Sequence, residues 1–329
     1  MAEKKVEEQE ETRLKKIAKS AVRRYSLLML WVVMVAVLVV VVPDGVNPID
    51  AMRAVLSQQT PVIFLGLGVV ITMAVGEFDL SFAGIFGISA VAVPSLVIFN
   101  GWSYPMAVIA ALVIALICGL INGLLVVKVK INSVVVTLGV SSVAGGLGYW
   151  LSNETTVSGL DPNLAAVAIG KFLGLPMLFW YGVVLSAIVA YIMSGTPLGR
   201  NMLFVGSNRA VASLAGISVS RVRIGAYLAS SLLAGLAGVI LATGLGGYNP
   251  GTAATNLMPT FAAVFLGTVA VVPGRFNPIG MLIAAYFLLT GVFGLQLLGL
   301  SGWVTQVFYG VVLVAAVTVS TVIQRRIKS

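Results

Sequence analysis

The sequence predicts an all-α polytopic membrane protein of about ten transmembrane helices, with both termini in the cytoplasm. Three observations lead there. Of 329 residues, 59% are hydrophobic and 9% charged, whereas a water-soluble domain carries about 25% charged residues. Mean hydropathy is +1.06, and the apolar residues fall in runs near the ~20 residues that a helix needs to cross a bilayer. The charged residues gather between these runs and sort by side. A β-barrel would show short alternating segments instead.

Ten spans follow in order: 25–43, 58–76, 82–99, 104–127, 133–152, 177–194, 222–243, 257–272, 278–299 and 303–322. They form one transmembrane domain, 25–322. Ahead of it lies a basic segment, 1–24, where Leu14, Ile17, Ala18 and Ala21 fall at helical spacing beside Arg13, Lys15, Lys16 and Lys19. That pattern suits a cytoplasmic amphipathic helix on anionic lipid, or a solvated tail. No cleavage site follows the first apolar run, so a cleaved signal is not expected. The fourth span carries Gly119 and Gly123, and the seventh Gly235 and Gly238 with Ala234 and Ala237; small residues let helix backbones approach closely within a bundle. The eighth span is short. Pro259, Pro273, Gly274 and Pro278 predict an interruption there. A basic tail, 323–329, ends the chain.

With the N-terminus inside, 18 of the 20 Lys and Arg are cytoplasmic. Only Arg53 and Lys171 lie outside. This satisfies the positive-inside rule and requires an even number of spans. The net charge of +9 is thereby accounted for by topology, without a nucleic-acid partner.

Composition also limits the chemistry. There is no histidine and a single cysteine, Cys118, which removes Ser-His and Cys-His catalysis and His-ligated metal sites. No catalytic residue and no metal site is expected. The span interiors hold essentially no charge, against the ionisable relay of a secondary transporter. Nothing resembles a channel filter. No phosphate-binding G-x-x-x-x-G-K-[ST] loop is present. Transport driven by a separate ATPase remains, beside an ATP-independent facilitator or channel for small polar solutes and a membrane scaffold without transport.

An ATPase would need a docking element. The internal loop 195–222 contains one candidate. Ser207 or Asn208 is a good N-cap and Gly216 a good stop. Val211, Leu214 and Ala215 lie on one side of the short helix between them. Such a helix suits insertion into a partner's groove, or merely connects two spans.

These residues, with three other segments, resemble a known family. The segments are Gly76-Glu77-Phe78-Asp79-Leu80-Ser81; Gly119-Leu120-Ile121-Asn122-Gly123 with Val136-Thr137-Leu138-Gly139; Thr196-Pro197-Leu198-Gly199-Arg200 through Gly206, Asn208, Ala210 and Gly216-Ile217; and Leu233-Ala234-Gly235-Leu236-Ala237-Gly238 followed by Pro250 and Ala262-Ala263. In order and spacing they are similar to the permease subunit of ribose-type ABC sugar importers, within the branched-chain amino acid and monosaccharide permease superfamily. Glu77 stands where that pattern has a second glycine. The resemblance implies a bacterial inner (plasma) membrane protein importing a ribose-like monosaccharide or a similar small polar solute. It implies an ABC ATPase that binds ATP and Mg, a periplasmic sugar-binding protein, and a second permease copy or paralogue. It also implies that Asn208, Arg209, Ala210, Val211, Ser213, Leu214 and Gly216 form the coupling helix that contacts the ATPase.

A neutral solute needs neutral donors and acceptors along its path. The candidates are Asn122, Thr137, Asn249, Asn256, Thr260, Gln296 and Thr305, each of which could alternatively join helices by a hydrogen bond. The window Gly76-Glu77-Phe78-Asp79 has a counterpart in Gly274-Arg275-Phe276-Asn277. It predicts that Arg275 pairs with Glu77 or Asp79 and closes the inner end. The outer stretches 153–176 and 244–256 are candidates for docking the binding protein.

Overall fold

In the computed structural model, residues 25–40, 47–58, 60–300 and 302–328 are described; the basic segment 1–24 lies outside them. The described residues are predominantly helical. The helices are α1 (Tyr25–Val40), α2 (Pro48–Gln58), α3 (Thr60–Ala74), α4 (Phe82–Ile98), α5 (Tyr104–Val127), α6 (Ser133–Leu151), α7 (Pro162–Ile169), α8 (Met177–Gly195), α9 (Pro197–Ser207), α10 (Arg209–Leu214), α11 (Val219–Leu245), α12 (Leu257–Gly267), α13 (Pro278–Leu297) and α14 (Trp303–Lys328). Four two-residue strands, β1 (Val157–Ser158), β2 (Lys171–Phe172), β3 (Leu175–Pro176) and β4 (Gly247–Tyr248), lie between helices.

Helices α5, α6, α8, α11, α13 and α14 are long and apolar enough to cross a membrane; α1, α3 and α4 are apolar but shorter. With α12 these correspond to the ten expected spans. Three short helices, α2, α7 and α9, are additions to the expected pattern. Thr196 starts α9 by accepting from the Gly199 N–H at 3.3 Å, with Pro197 in the first turn.

The core sits on α3, α4 and α11. Every residue of α3 except Met73 is buried, as expected of a helix that is apolar all round. At 15 residues it is only ~22 Å long, and it is sheathed by protein rather than lipid. Close approach depends on glycine. A Cβ at Gly238 of α11 would lie 2.5 Å from the Phe86 carbonyl of α4, and one at Gly119 of α5 would lie 2.5 Å from the Ser231 hydroxyl of α11. The small residues of the fourth and seventh spans therefore pack inside the bundle.

The eighth span is interrupted as its prolines predict. A 3-10 helix, Pro250–Asn256, leads into the short α12, and 268–277 is irregular. Asn277 holds that stretch. Its side-chain amide donates to the Gly267, Ala270 and Arg275 carbonyls, while its oxygen accepts from the Gly280 N–H and caps α13.

The two ends of the bundle differ in charge. One end gathers the turns at 75–81, 128–132, 196–218 and 268–277, with Lys128, Lys130, Arg200, Arg209, Arg221, Arg223 and Arg275. The other carries Arg53 and Lys171 and is the outer face by the positive-inside rule. There β1 pairs antiparallel with β4, Val157 opposite Tyr248, and the Asn249 amide donates to Thr156 at 2.9 Å. The two outer stretches thus form one surface.

Candidate functional site

The turn between α3 and α4, 75–81, carries two buried acids at the cytoplasmic end. Gly76 makes the turn possible with φ +75°, a conformation open to glycine. Glu77 is 4% exposed. Its Oε1 accepts from Arg209 Nη2 at 2.7 Å and from Arg223 Nε at 2.5 Å. Its Oε2 accepts from the Tyr227 hydroxyl at 3.2 Å, and Arg209 also donates to the Gly76 carbonyl at 2.9 Å. A buried carboxylate is tolerated when paired and fully hydrogen-bonded, and this one is.

Asp79 is fully buried. One oxygen accepts from the Ser81 N–H at 2.9 Å and the Ser81 hydroxyl at 2.6 Å, and the other from the Ser230 hydroxyl at 2.7 Å. Burial pushes its carboxyl above the usual range, against the opposing pull of the Ser81 and Ser230 hydrogen bonds. The Asn122 amide donates to Ser81 at 2.7 Å, and the Leu80 N–H donates to Thr137 at 3.1 Å. Arg223, Tyr227 and Ser230 sit at i, i+4 and i+7, one stripe of α11. The turn is therefore clasped by α5, α6, α10 and α11 together.

The expected pairing of Arg275 with Glu77 or Asp79 is not present. Arg209 and Arg223 occupy Glu77, and hydroxyl and N–H groups satisfy Asp79. Arg275 lies at a separate cavity beside α8 and α9. The two windows do match in backbone: Gly274 has φ +83°, like Gly76. Phe78 stacks on Phe261 and Phe276 packs on Phe265, both on α12. What differs is the helix facing each window.

Helix α10 is a single capped segment. The Asn208 side chain accepts from the Ala210 and Val211 N–H groups at 3.0 and 3.1 Å, and Gly216 turns the chain out with φ +79°. Ala212 is buried, whereas Val211 is 45% and Leu214 88% exposed. Ala210, Ser213 and Gly216 are also exposed. Apolar side chains thus point into the cytoplasm beside exposed Phe204 and Leu198 of α9.

The polar residues considered for a solute path are not brought together. Asn122 and Thr137 belong to the cytoplasmic clasp. Asn249 caps the 3-10 helix on the outer face through the Gly251 N–H, and Asn256 donates weakly to the Ala253 carbonyl at 3.4 Å. Thr260 is buried without a hydrogen-bond partner among the described residues, and Gln296 is exposed. Thr305 lines an outer cavity of about 680 Å³ with Thr255, Gln306 and Tyr309. Those last three escaped the sequence reading, as did Arg223, Tyr227 and Ser230. The polar stripe along the seventh span was the available signal for the second group.

A polytopic bundle with a cationic inner end and a short apolar helix held out from that end has the form of the membrane-spanning subunit of a transporter. Residues 51–317 match the family described as the permease component of the branched-chain amino acid transport system, and the chain belongs to that family. The L-arabinose ABC transporter permease protein AraH of Azospirillum brasilense is 29% identical over 90% of this chain and 87% of its own. The autoinducer 2 import system permease protein LsrC of Salmonella paratyphi B is 29% identical over 80% of this chain and 76% of its own. A solved ABC transporter assigned to the metal-chelate type, in an inward-facing conformation, aligns over 88% of this chain and 98% of its own with a TM-score of 0.49 at 15% identity.

Proposed function

We propose that this chain is the membrane-spanning subunit of an ATP-driven importer for a monosaccharide, ribose-like or another pentose, or a similar small polar solute. It resides in a bacterial inner membrane. A binding protein delivers solute to the outer surface formed by 153–176 and 244–256, and a separate ATPase docks on α10. A second permease copy or paralogue completes the pathway.

The observation that carries the reading is α10 itself. Val211 and Leu214 are exposed on the cytoplasmic end, while Arg209 anchors the same helix to buried Glu77. A helix that is apolar outward and ionically tied inward suits insertion into a partner's groove. Kinship with AraH, a permease for L-arabinose, supports the sugar class.

The test is capture from native membranes in mild detergent. An ABC ATPase should co-purify with the wild type and be lost with Ala210→Glu, Val211→Glu or Leu214→Glu. An ATPase retained by all three variants would remove α10 as the dock. Absence of any ATPase, with solute flux through the isolated chain, would establish the facilitator reading instead.

A further inference from the structure

A second cationic feature stands apart from the clasp. Arg200, in the first turns of α9, and Arg275, in the irregular stretch before α13, line one cavity of about 480 Å³. Both are exposed. Neither has a carboxylate partner among the described residues, and the segments that build the cavity, 190–203 and 271–279, contain no Asp or Glu. Apart from Ser194 and Asn277, the other walls are apolar, with Met193 near the end of α8, Leu203 of α9, Val272 and Ile279. Met193 belongs to a membrane span, whereas Arg200 follows it past the span's end. The cavity therefore runs from the bilayer edge to the cytoplasmic surface, apolar first and cationic last. That sequence of environments matches an acyl chain followed by a phosphate. Guanidinium groups suit phosphate because their forked N–H donors fit its oxygens, and anionic lipid is concentrated in the cytoplasmic leaflet.

We propose that this cavity binds one anionic phospholipid of the inner leaflet. Its phosphate lies between Arg200 and Arg275, and an acyl chain lies against Met193 and Ile279. The lipid ties the α8–α9 corner to the interrupted eighth span. The proposal does not rest on the transport reading, and its test involves neither ATPase nor solute.

The purified full chain is titrated with dioleoylphosphatidylglycerol or dioleoylphosphatidylcholine in detergent, with bound lipid counted by native mass spectrometry. The wild type should retain one phosphatidylglycerol in preference to phosphatidylcholine. The double variant Arg200→Gln/Arg275→Gln should lose about ten- to thirty-fold of that preference, as expected for two basic residues near an anionic surface. Lys171→Gln, on the outer face, should keep it. A photo-crosslinking phosphatidylglycerol on the wild type provides a test that needs no variant, and should label peptides from 190–203 or 271–279. No lipid preference in the wild type, an unchanged preference in the double variant, or labelling only elsewhere would each overturn the site. Equal thermal protection of the wild type by inorganic phosphate alone would overturn the lipid assignment.

Discussion

The Glu77 carboxylate meets the Arg209 guanidinium at 2.7 Å across 132 residues of sequence. Arg209 is the first residue of α10, and Glu77 lies in the turn that ends α3. The contact therefore fastens the exposed cytoplasmic helix to the most buried helix of the bundle. The same carboxylate oxygen holds Arg223 at the start of α11. A push on α10 reaches two spans through one side chain.

Replacing Glu77 with Gln should separate these parts. The Arg223 side chain, 14% exposed, would lose its charge partner, and breaking a buried pair costs about 3–5 kcal/mol. Arg209 is 46% exposed, so its arm contributes little, as surface pairs do. The expected result is a lower melting temperature. In proteoliposomes with the ATPase, solute moved per ATP hydrolysed should also fall while the ATPase stays bound. Unchanged melting and unchanged coupling would show that the clasp transmits nothing.

Leu214→Glu should act in the opposite manner. Leu214 is 88% exposed, and a surface substitution usually changes stability by no more than ~0.5 kcal/mol. Melting of the isolated chain should be unchanged, while ATPase capture is lost. A large fall in melting temperature would mean that Leu214 packs within the chain rather than against a partner.

The ten spans were legible because lipid enforces long apolar runs and charge sorts by side. The interrupted eighth span was legible because Pro259, Pro273 and Pro278 cannot continue a helix. Helices α2, α7 and α9 were not, since such short helices lack a long apolar run. The partner of Glu77 was misread for a related reason. Arg275 shares a sequence window with Glu77, but pairing depends on which helix faces the turn. That helix is α11, whose Arg223, Tyr227 and Ser230 reveal their common stripe only when helical phase is counted. Asn122 and Thr137 read as pathway residues by polarity alone, yet both serve the turn that holds the acids.

Two glycines should respond oppositely to alanine. A Cβ at Gly84 would lie 2.3 Å from the Ser141 carbonyl, whereas one at Gly139 meets nothing within 4 Å. Backbone cannot yield as a flexible side chain can, so Gly84→Ala should destabilise the α4–α6 contact by about 1–3 kcal/mol. Gly139→Ala should be neutral, or stabilising by up to ~1 kcal/mol through helix propensity. Thermal melting of the two variants in the same detergent checks both. Equal effects would mean that α4 and α6 are not packed at Gly84.

Asp79 gives a prediction with a pH signature. Among the described residues its three hydrogen bonds come from Ser81 and Ser230, and no cation pairs with it. An Asn keeps the oxygen that faces Ser81, and the Ser230 hydroxyl can rotate to accept from its amide. Asp79→Asn should therefore fold, whereas Asp79→Ala orphans buried donors at about 1–3 kcal/mol. Because burial raises the Asp79 carboxyl above its ordinary value of 3.8, the native state binds this proton more readily than the unfolded chain. The stability it contributes is present at low pH and is lost as pH rises through the raised value. Asn stays neutral and lacks this dependence. The melting temperature of Asp79→Asn relative to wild type should thus increase from acidic to neutral pH. A difference that stays constant with pH, or shrinks as pH rises, would mean that Asp79 is held as a stabilised carboxylate.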